Sequence, residues 1–308
     1  PILPVLGNDD SYPDYVISPD PHPAWLEAIG DIWRPFFSGD ERAYQSFLNH
    51  GYYRRQMFSP SHVYLCLNTV LWSPKNNAIN GSTLPDPGDQ LHWIETELKQ
   101  ASDQGYFVSL VGHISPGVSP YDNLPLYQLP FQTALLALLR TYSSVITAMH
   151  FGHLHRDDFR VLWDSPLNHE VPAASTFMLS SSISLTNFNN PSYRTFTIAK
   201  EPMLKIIDYS VRYLNLYQAN KIYHETGEGL SPAQWENLYD FRQFYDVPDL
   251  SPGSFVSLST AFEQSPALFL RFNGFRVQNY QQQTTSVNCA IREMDLDAYN
   301  DCLVERAE

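Results

Sequence analysis

The chain has 308 residues, of which 43% are hydrophobic and 17% charged, and its formal net charge is −14. That length and composition predict one or two folded domains with a sizeable core and exclude a disordered chain. The acidic balance argues against a nucleic-acid duplex as partner, although a local electropositive pocket around metal ions stays compatible with it. No run approaches the roughly 18 to 20 apolar residues of a membrane span.

In chain order, PILPVLG (1–7) opens the sequence without Met and reads as a processed or cut end, and no stretch of the 308 residues reads as a signal peptide. His62 to Trp72 alternates with period two and predicts a strand. The sequon Asn80-Gly-Ser fits a secreted chain. A helix is predicted over 87–104, with Asp86 as N-cap, Pro87 at its first position and Gly105 just past its end. Tyr106 to Val111 is a short buried strand that ends in GHISPG (112–117). A Leu-rich helix over 127–142 follows. The strand Val145 to Phe151 then ends in FGHLHRDDF (151–159). DFRVLW, ASTFMLSSSIS, YRTFTIA and LKIIDYSVRYL read as successive strands. After about residue 216 the pattern turns helical, and Ser231 to Gln234 looks like a capping box opening a helix to about Tyr245. Cys66 reads as a buried thiol. The spacing of Cys289 and Cys302 does not fit a zinc site and leaves a staple between two short helices or two free thiols.

Three stretches place metal-capable side chains beside a glycine: LGNDD (6–10), GHISPG and FGHLHRDDF. Asn8 offers an amide oxygen, and His113, His153 and His155 offer imidazole nitrogens. Glycine permits a sharp turn at a strand end, where loops held by a rigid sheet carry chemistry. Histidines at i and i+2 suit two neighbouring ions. Imidazole with oxygen donors favours zinc, manganese or iron over magnesium or calcium. His150 reads as a packed strand residue. Asp157 and Asp158 read as residues that orient the loop or cap a turn, with a hydrogen bond to a ligating histidine as an alternative.

These motifs, in this order, resemble those of the acid sphingomyelinase-like branch of the calcineurin-like metallophosphoesterases. PDPGDQLHWIETELKQASDQG before GHISPG, NNPSYRTFTI (189–198) and YLNLYQAN (213–220) extend the resemblance over roughly residues 1–220. It implies an α/β (α+β mixed) fold, a β-sandwich flanked by helices. Residues 1–215 would form the C-terminal part of the catalytic domain and 216–308 a helical C-terminal subdomain. It also implies two divalent metal ions, zinc foremost with manganese or iron as alternatives, that clamp a phosphate ester for in-line attack by a metal-bound hydroxide. By motif, Asn8, His113 and His153 resemble ligands of one ion and His155 a ligand of the other. Tyr193 would line the substrate pocket, with a place in the core as the alternative.

Two departures stand out. The family's earlier DxH and GDxxD motifs are not found, so the first strands and remaining ligands are expected from an N-terminal companion segment. Asp9 stands where the family usually has a histidine that assists the leaving group. The expected function is hydrolysis of a phosphate ester or anhydride, with a phospholipid head group, nucleotide or polyphosphate as substrate. The expected location is secreted, lysosomal, vacuolar or periplasmic. The alternative is a non-catalytic binding relative.

Overall fold

The computed structural model describes residues 2–79, 86–165, 168–186, 189–199, 204–227, 234–276 and 285–306, with backbone only at 168–172. The Asn80 sequon and Ser231 lie outside them. Two sheets form among these residues. The larger runs in the order β1 (Tyr53–Gln56), β2 (His62–Cys66), β3 (Phe107–Val111), β4 (Ile146–Phe151), β6 (Asn168–Leu179), β5 (Asp158–Ser165). Its central strands β2, β3, β4 and β6 are parallel, and β1 and β5 close its edges antiparallel. The smaller sheet is antiparallel, in the order β7 (Ser192–Ala199), β8 (Lys205–Leu214), β9 (Trp235–Asp240).

Parallel strands need crossovers, and two helices supply them on one face. These are α3 (Gln90–Gln104) between β2 and β3, and α4 (Leu129–Thr141) between β3 and β4. Ile94, Leu98, Leu135 and Leu139 pack there on Leu65, Val108, Leu110 and Met149, all buried. The smaller sheet covers part of the other face, where Ile206 and Phe196 meet Ala148 and Met178. His150 lies in this layer edge-on to Phe196, with ring centroids 4.9 Å apart. The layered, mixed α/β arrangement expected from the sequence is therefore present.

Four predicted features hold at residue level. The α3 helix ends on Gly105 with φ 66°, the left-handed region that glycine enters at no steric cost. Asp86 accepts hydrogen bonds from the Leu91 and His92 N–H groups, both at 3.0 Å, and so still serves the helix start, although α3 begins at Gln90 behind a 3-10 turn at Pro87–Asp89 rather than at Pro87. Cys66 is a free, buried thiol. Cys289 and Cys302 are bonded and join α9 (Thr285–Arg292) to α10 (Leu296–Glu305).

Two expectations fail. The strand expected to reach Trp72 stops at Cys66, and Thr69–Trp72 coils into a 3-10 turn. The Gln90 side-chain amide takes both polar backbone groups of Asn68, at 2.8 and 3.1 Å, in place of a further strand partner. Thr69 to Trp72 are all buried, so the apolar run there signalled burial rather than a pleat. The helix expected to run to Tyr245 is strand β9 followed by α6 (Phe241–Tyr245). Pairing with β8, from Ser210↔Asp240 to Leu214↔Trp235, overrides the local helical pattern.

Two helices that the sequence pattern did not mark, α1 (Ala24–Trp33) and α2 (Glu41–His50), make a small core of Leu26, Tyr44 and Phe47 with Leu6 and Tyr53. At the C-terminal end, α7 (Pro252–Gln264), α8 (Pro266–Arg276) and α9 cover β5. Phe159 meets Phe255, Phe262 and Phe272 there at centroid distances of 4.9 to 6.3 Å. No helix among the described residues is long and apolar enough to cross a membrane.

The Cys289–Cys302 bond closes a loop with a sequence separation of 13. Closing a loop of that size stabilises by about 3 kcal/mol through the unfolded chain. Replacing both cysteines with alanine should therefore lower stability by roughly 2–4 kcal/mol in chemical denaturation. Peptide mapping without reductant should recover the 289–302 link and an alkylatable Cys66; unlinked peptides at 289 and 302 would contradict the bond.

Candidate metal centre

The three glycine-bearing stretches meet at one end of the larger sheet. LGNDD enters as an extended segment with Leu6 buried, then turns through a 3-10 helix at Asn8–Asp10. GHISPG leaves β3, and FGHLHRDDF leaves the neighbouring β4. The backbone ties the two loops together: Gly152 N–H donates to His113 O at 2.8 Å, and Gly112 N–H to His150 O at 3.0 Å.

Gly7 and Gly112 act by size rather than by turning. A Cβ on Gly7 would sit 3.2 to 3.4 Å from the His113 ring. One on Gly112 would sit 2.7 Å from the Phe151 ring and 2.8 Å from Thr69 Cγ2. The sharp turn belongs instead to the histidines, with φ of 68° at His153 and 54° at His155. Left-handed conformations at non-glycine residues cost roughly 1–3 kcal/mol each and persist where surrounding contacts over-determine them, as functional sites do.

The three segments bring three donor atoms to one point. Asn8 Oδ1 lies 2.8 Å from His113 Nε2 and 3.0 Å from His153 Nδ1, and the two ring nitrogens are 3.2 Å apart. The Asn8 amide is oriented by its other end, where Nδ2 donates to Asp9 Oδ1 at 2.8 Å and to Asp14 Oδ1 at 3.2 Å. Its oxygen therefore faces the imidazoles. The Tyr15 hydroxyl lies 3.4 Å from His153 Nε2 and meets the ring edge-on. His155 lines the same cleft, and its buried Nδ1 has no hydrogen-bond partner among the described residues. The cleft has a volume of about 380 Å3 and is also lined by Asp9, Asp10 and Thr186.

Electrostatics favour neutral imidazoles here. Burial, then His155, lowers His113 to about 4. Burial, then His113, Lys75 and His155, lowers His153 to about 3. A neutral ring has a lone pair to offer a cation. Asp9 moves the other way: burial raises its pKa first, and the hydrogen bond and charge of Asp14 add to that. Burial, then the charges of Asp14, Asp9 and Asp122, lifts the Tyr15 hydroxyl to about 12, so it keeps its proton.

The donor set fits one divalent ion. Three donors at about 2.0–2.2 Å from a tetrahedral zinc stand about 3.3 Å apart, and the separations here are close to that. The third donor is an amide; among the described residues, no three His, Cys, Asp or Glu side chains gather as a metal site. For a second ion the described residues bring His155, Asp9 and Asp10 to the cleft, but these do not gather as a metal site.

Other residues take structural places. Tyr193 is on the exposed side of β7, edge-on to Trp235 at 4.9 Å, and outside the lining of the cleft. Its neighbour Arg194, on the opposite face of the strand, reaches under the loop and pairs with Asp157 at 2.6 Å. Asp158 pairs with Arg160 at 3.0 Å and with Arg276 at 2.8 Å. Asp157 and Asp158 thus anchor the histidine loop instead of facing the cleft. Sequence reasoning missed Asp14 and Tyr15, although both lie in the polar stretch NDDSYPDY (8–15) that begins at Asn8.

The lowered values give a pH signature. His113, His153 and His150, the last brought to about 4 by burial and then Arg194, have folded values below the ordinary 6.5. Between 6.5 and those values the unfolded chain binds more protons, so these groups' contribution to stability falls as pH drops through that window. In the metal-free protein their ring-proton resonances should stay constant from pH 8 to 5. A midpoint near 6.5 at His113 or His153 would contradict the packing described.

Comparison with known proteins accords with these features. A family model described as "Acid sphingomyelin phosphodiesterase C-terminal region" matches residues 168–308. Sphingomyelinase phosphodiesterase D of Dictyostelium discoideum is 29% identical over 307 residues, covering 97% of this chain and 66% of that protein. Cyclic GMP-AMP phosphodiesterase SMPDL3A of Mus musculus is 30% identical over 315 residues, covering 98% and 67%. Acid sphingomyelinase-like phosphodiesterase 3b of Mus musculus is 27% identical over 312 residues, covering 97% and 65%. The chain spans about two thirds of the length of these relatives. On motif order and these likenesses, it belongs to the acid sphingomyelinase-like phosphodiesterase family.

Proposed function

We propose that this chain carries the histidine half of a metal-dependent phosphodiesterase. The observation behind the reading is the convergence of Asn8 Oδ1, His113 Nε2 and His153 Nδ1 within 3.2 Å of one another. These three would hold one divalent ion, zinc foremost, with manganese or iron as alternatives. Such an ion supplies Lewis-acid polarisation of a phosphoryl oxygen and lowers the pKa of water. The chain's own residues prepare for that. Asp9 and Asp14 fix the Asn8 amide. A proton held on His153 Nε2 and directed at the Tyr15 oxygen leaves Nδ1 free as a donor. Burial keeps both rings neutral at physiological pH.

His155 would contribute to a neighbouring ion, with the remaining ligands supplied by a companion segment outside these 308 residues. Three likenesses to phosphodiesterases support a phosphate diester as substrate, in a phospholipid head group or a nucleotide, with the phosphoanhydride of a polyphosphate as the alternative. The disulfide supports an oxidising location, secreted, lumenal or periplasmic. The place of Asp9 on the amide of Asn8 assigns it to positioning that ligand rather than to protonating a leaving group. A second reading, a binding relative without turnover, draws on the want of a complete second ion site among the described residues.

Full-length protein loaded with Zn2+ or Mn2+ should hydrolyse bis(p-nitrophenyl) phosphate, and a chelator should abolish the turnover. His113→Ala and His153→Ala should each reduce kcat/KM by at least roughly 100-fold, since even residues that only support a metal ligand are worth 10- to 100-fold. Chelator-insensitive turnover would overturn the metal assignment, and no turnover with metal bound would favour the binding relative.

A further inference from the structure

A second cavity adjoins the donor cluster across His153 and has a different character. It has a volume of about 420 Å3 and apolar walls at Leu124, Leu126 and Leu154. Tyr15 and His153 border it as well, and His153 also lines the donor cleft. Lys75 stands on its rim, with its ammonium 5.3 Å from the centroid of the Tyr15 ring. In a chain of net charge −14, this cation has no ion pair among the described residues. Asp122 lines the same cavity, and its Oδ1 accepts from Leu124 N–H at 3.4 Å.

We infer that this cavity receives a substituent esterified to the substrate phosphorus, and that Lys75 selects substituents carrying a negative charge of their own. The inference rests on the phosphodiesterase reading for the place of the phosphorus. Two facts carry it further. First, His153 is common to both cavities, so a phosphorus held at the donor atoms puts one of its ester groups within reach of Tyr15. Second, the second cavity offers apolar walls, one aromatic face and a cation already over that face. A flat or apolar group with an added anion satisfies all three. A cationic group such as a quaternary ammonium competes with Lys75 for the Tyr15 ring and is repelled by it.

The test separates this subsite from the catalytic reading. Full-length protein, with and without Zn2+, is titrated calorimetrically with phenylphosphonate and with 4-carboxyphenylphosphonate, which differ by one carboxylate and are not hydrolysed. The carboxylate form should bind roughly two- to fivefold more tightly, the range for an exposed ion pair. Added salt should shrink the preference. Lys75→Ala should remove it, and Lys75→Glu should reverse it. A wild-type ratio near one, or a ratio unmoved by Lys75→Glu, would overturn the inference. A preference that follows Lys75 in a protein without diester turnover would leave the subsite standing and remove the phosphodiesterase reading. Turnover with a ratio indifferent to Lys75 would do the reverse.

Discussion

The candidate site depends on two adjacent carboxylates buried beneath it. Asp157 holds Arg194 of β7 at 2.6 Å and accepts from the Tyr239 hydroxyl of β9. Asp158 holds Arg160 of β5 and Arg276 at the end of α8. Burial by itself would raise the Asp158 carboxyl, but the Arg160 and Arg276 guanidinium groups overcome that and hold it below its ordinary value. Two residues thus clamp the histidine loop to both sheets and to the C-terminal helices. Buried ion pairs are poor guides to net stability, because desolvation offsets their attraction. Losing one partner is another matter: it strands a buried charge and costs about 3–5 kcal/mol. A loop held this way has few alternative conformations.

That rigidity accounts for the unusual backbone above it. Left-handed φ at both His153 and His155 is tolerated because the chain on either side is fixed, by the β4 pairing before and the ion pairs after. Asn189 adds a further tie by donating to His155 O at 2.5 Å. Within this loop the left-handed conformation falls on the two residues whose rings line the cleft. Asn8 arrives from a different part of the chain, already oriented by Asp9 and Asp14. The donors are therefore preorganised by contacts that are themselves buried or paired, which is what a metal site needs from its surroundings.

Much of this was legible in the sequence, and the failures have identifiable causes. The strand–loop placement of GHISPG and FGHLHRDDF followed from two short apolar runs, because central parallel strands are buried on both faces and read as continuous hydrophobic stretches. The Asp86 and Gly105 helix signals held because capping chemistry is local. The strand over 62–72 failed in its second half, since burial and pleating leave the same apolar signature. The helix over 231–245 failed because β9 takes its conformation from β8, two dozen residues away in sequence. NPSYR pointed to the right strand, where alternation turns Tyr193 outward and Arg194 inward, and sequence alone does not fix that phase. Tyr15 and Lys75 carried no motif at all, since their roles come from contacts with residues far along the chain.

In the proposed site Asn8, His113 and His153 share one divalent ion. Anomalous diffraction at the zinc edge from crystals of the full-length protein soaked in Zn2+ tests this, with a peak expected within bonding distance of Asn8 Oδ1, His113 Nε2 and His153 Nδ1. Density at other residues, with these three atoms still hydrogen-bonded to one another, would contradict it.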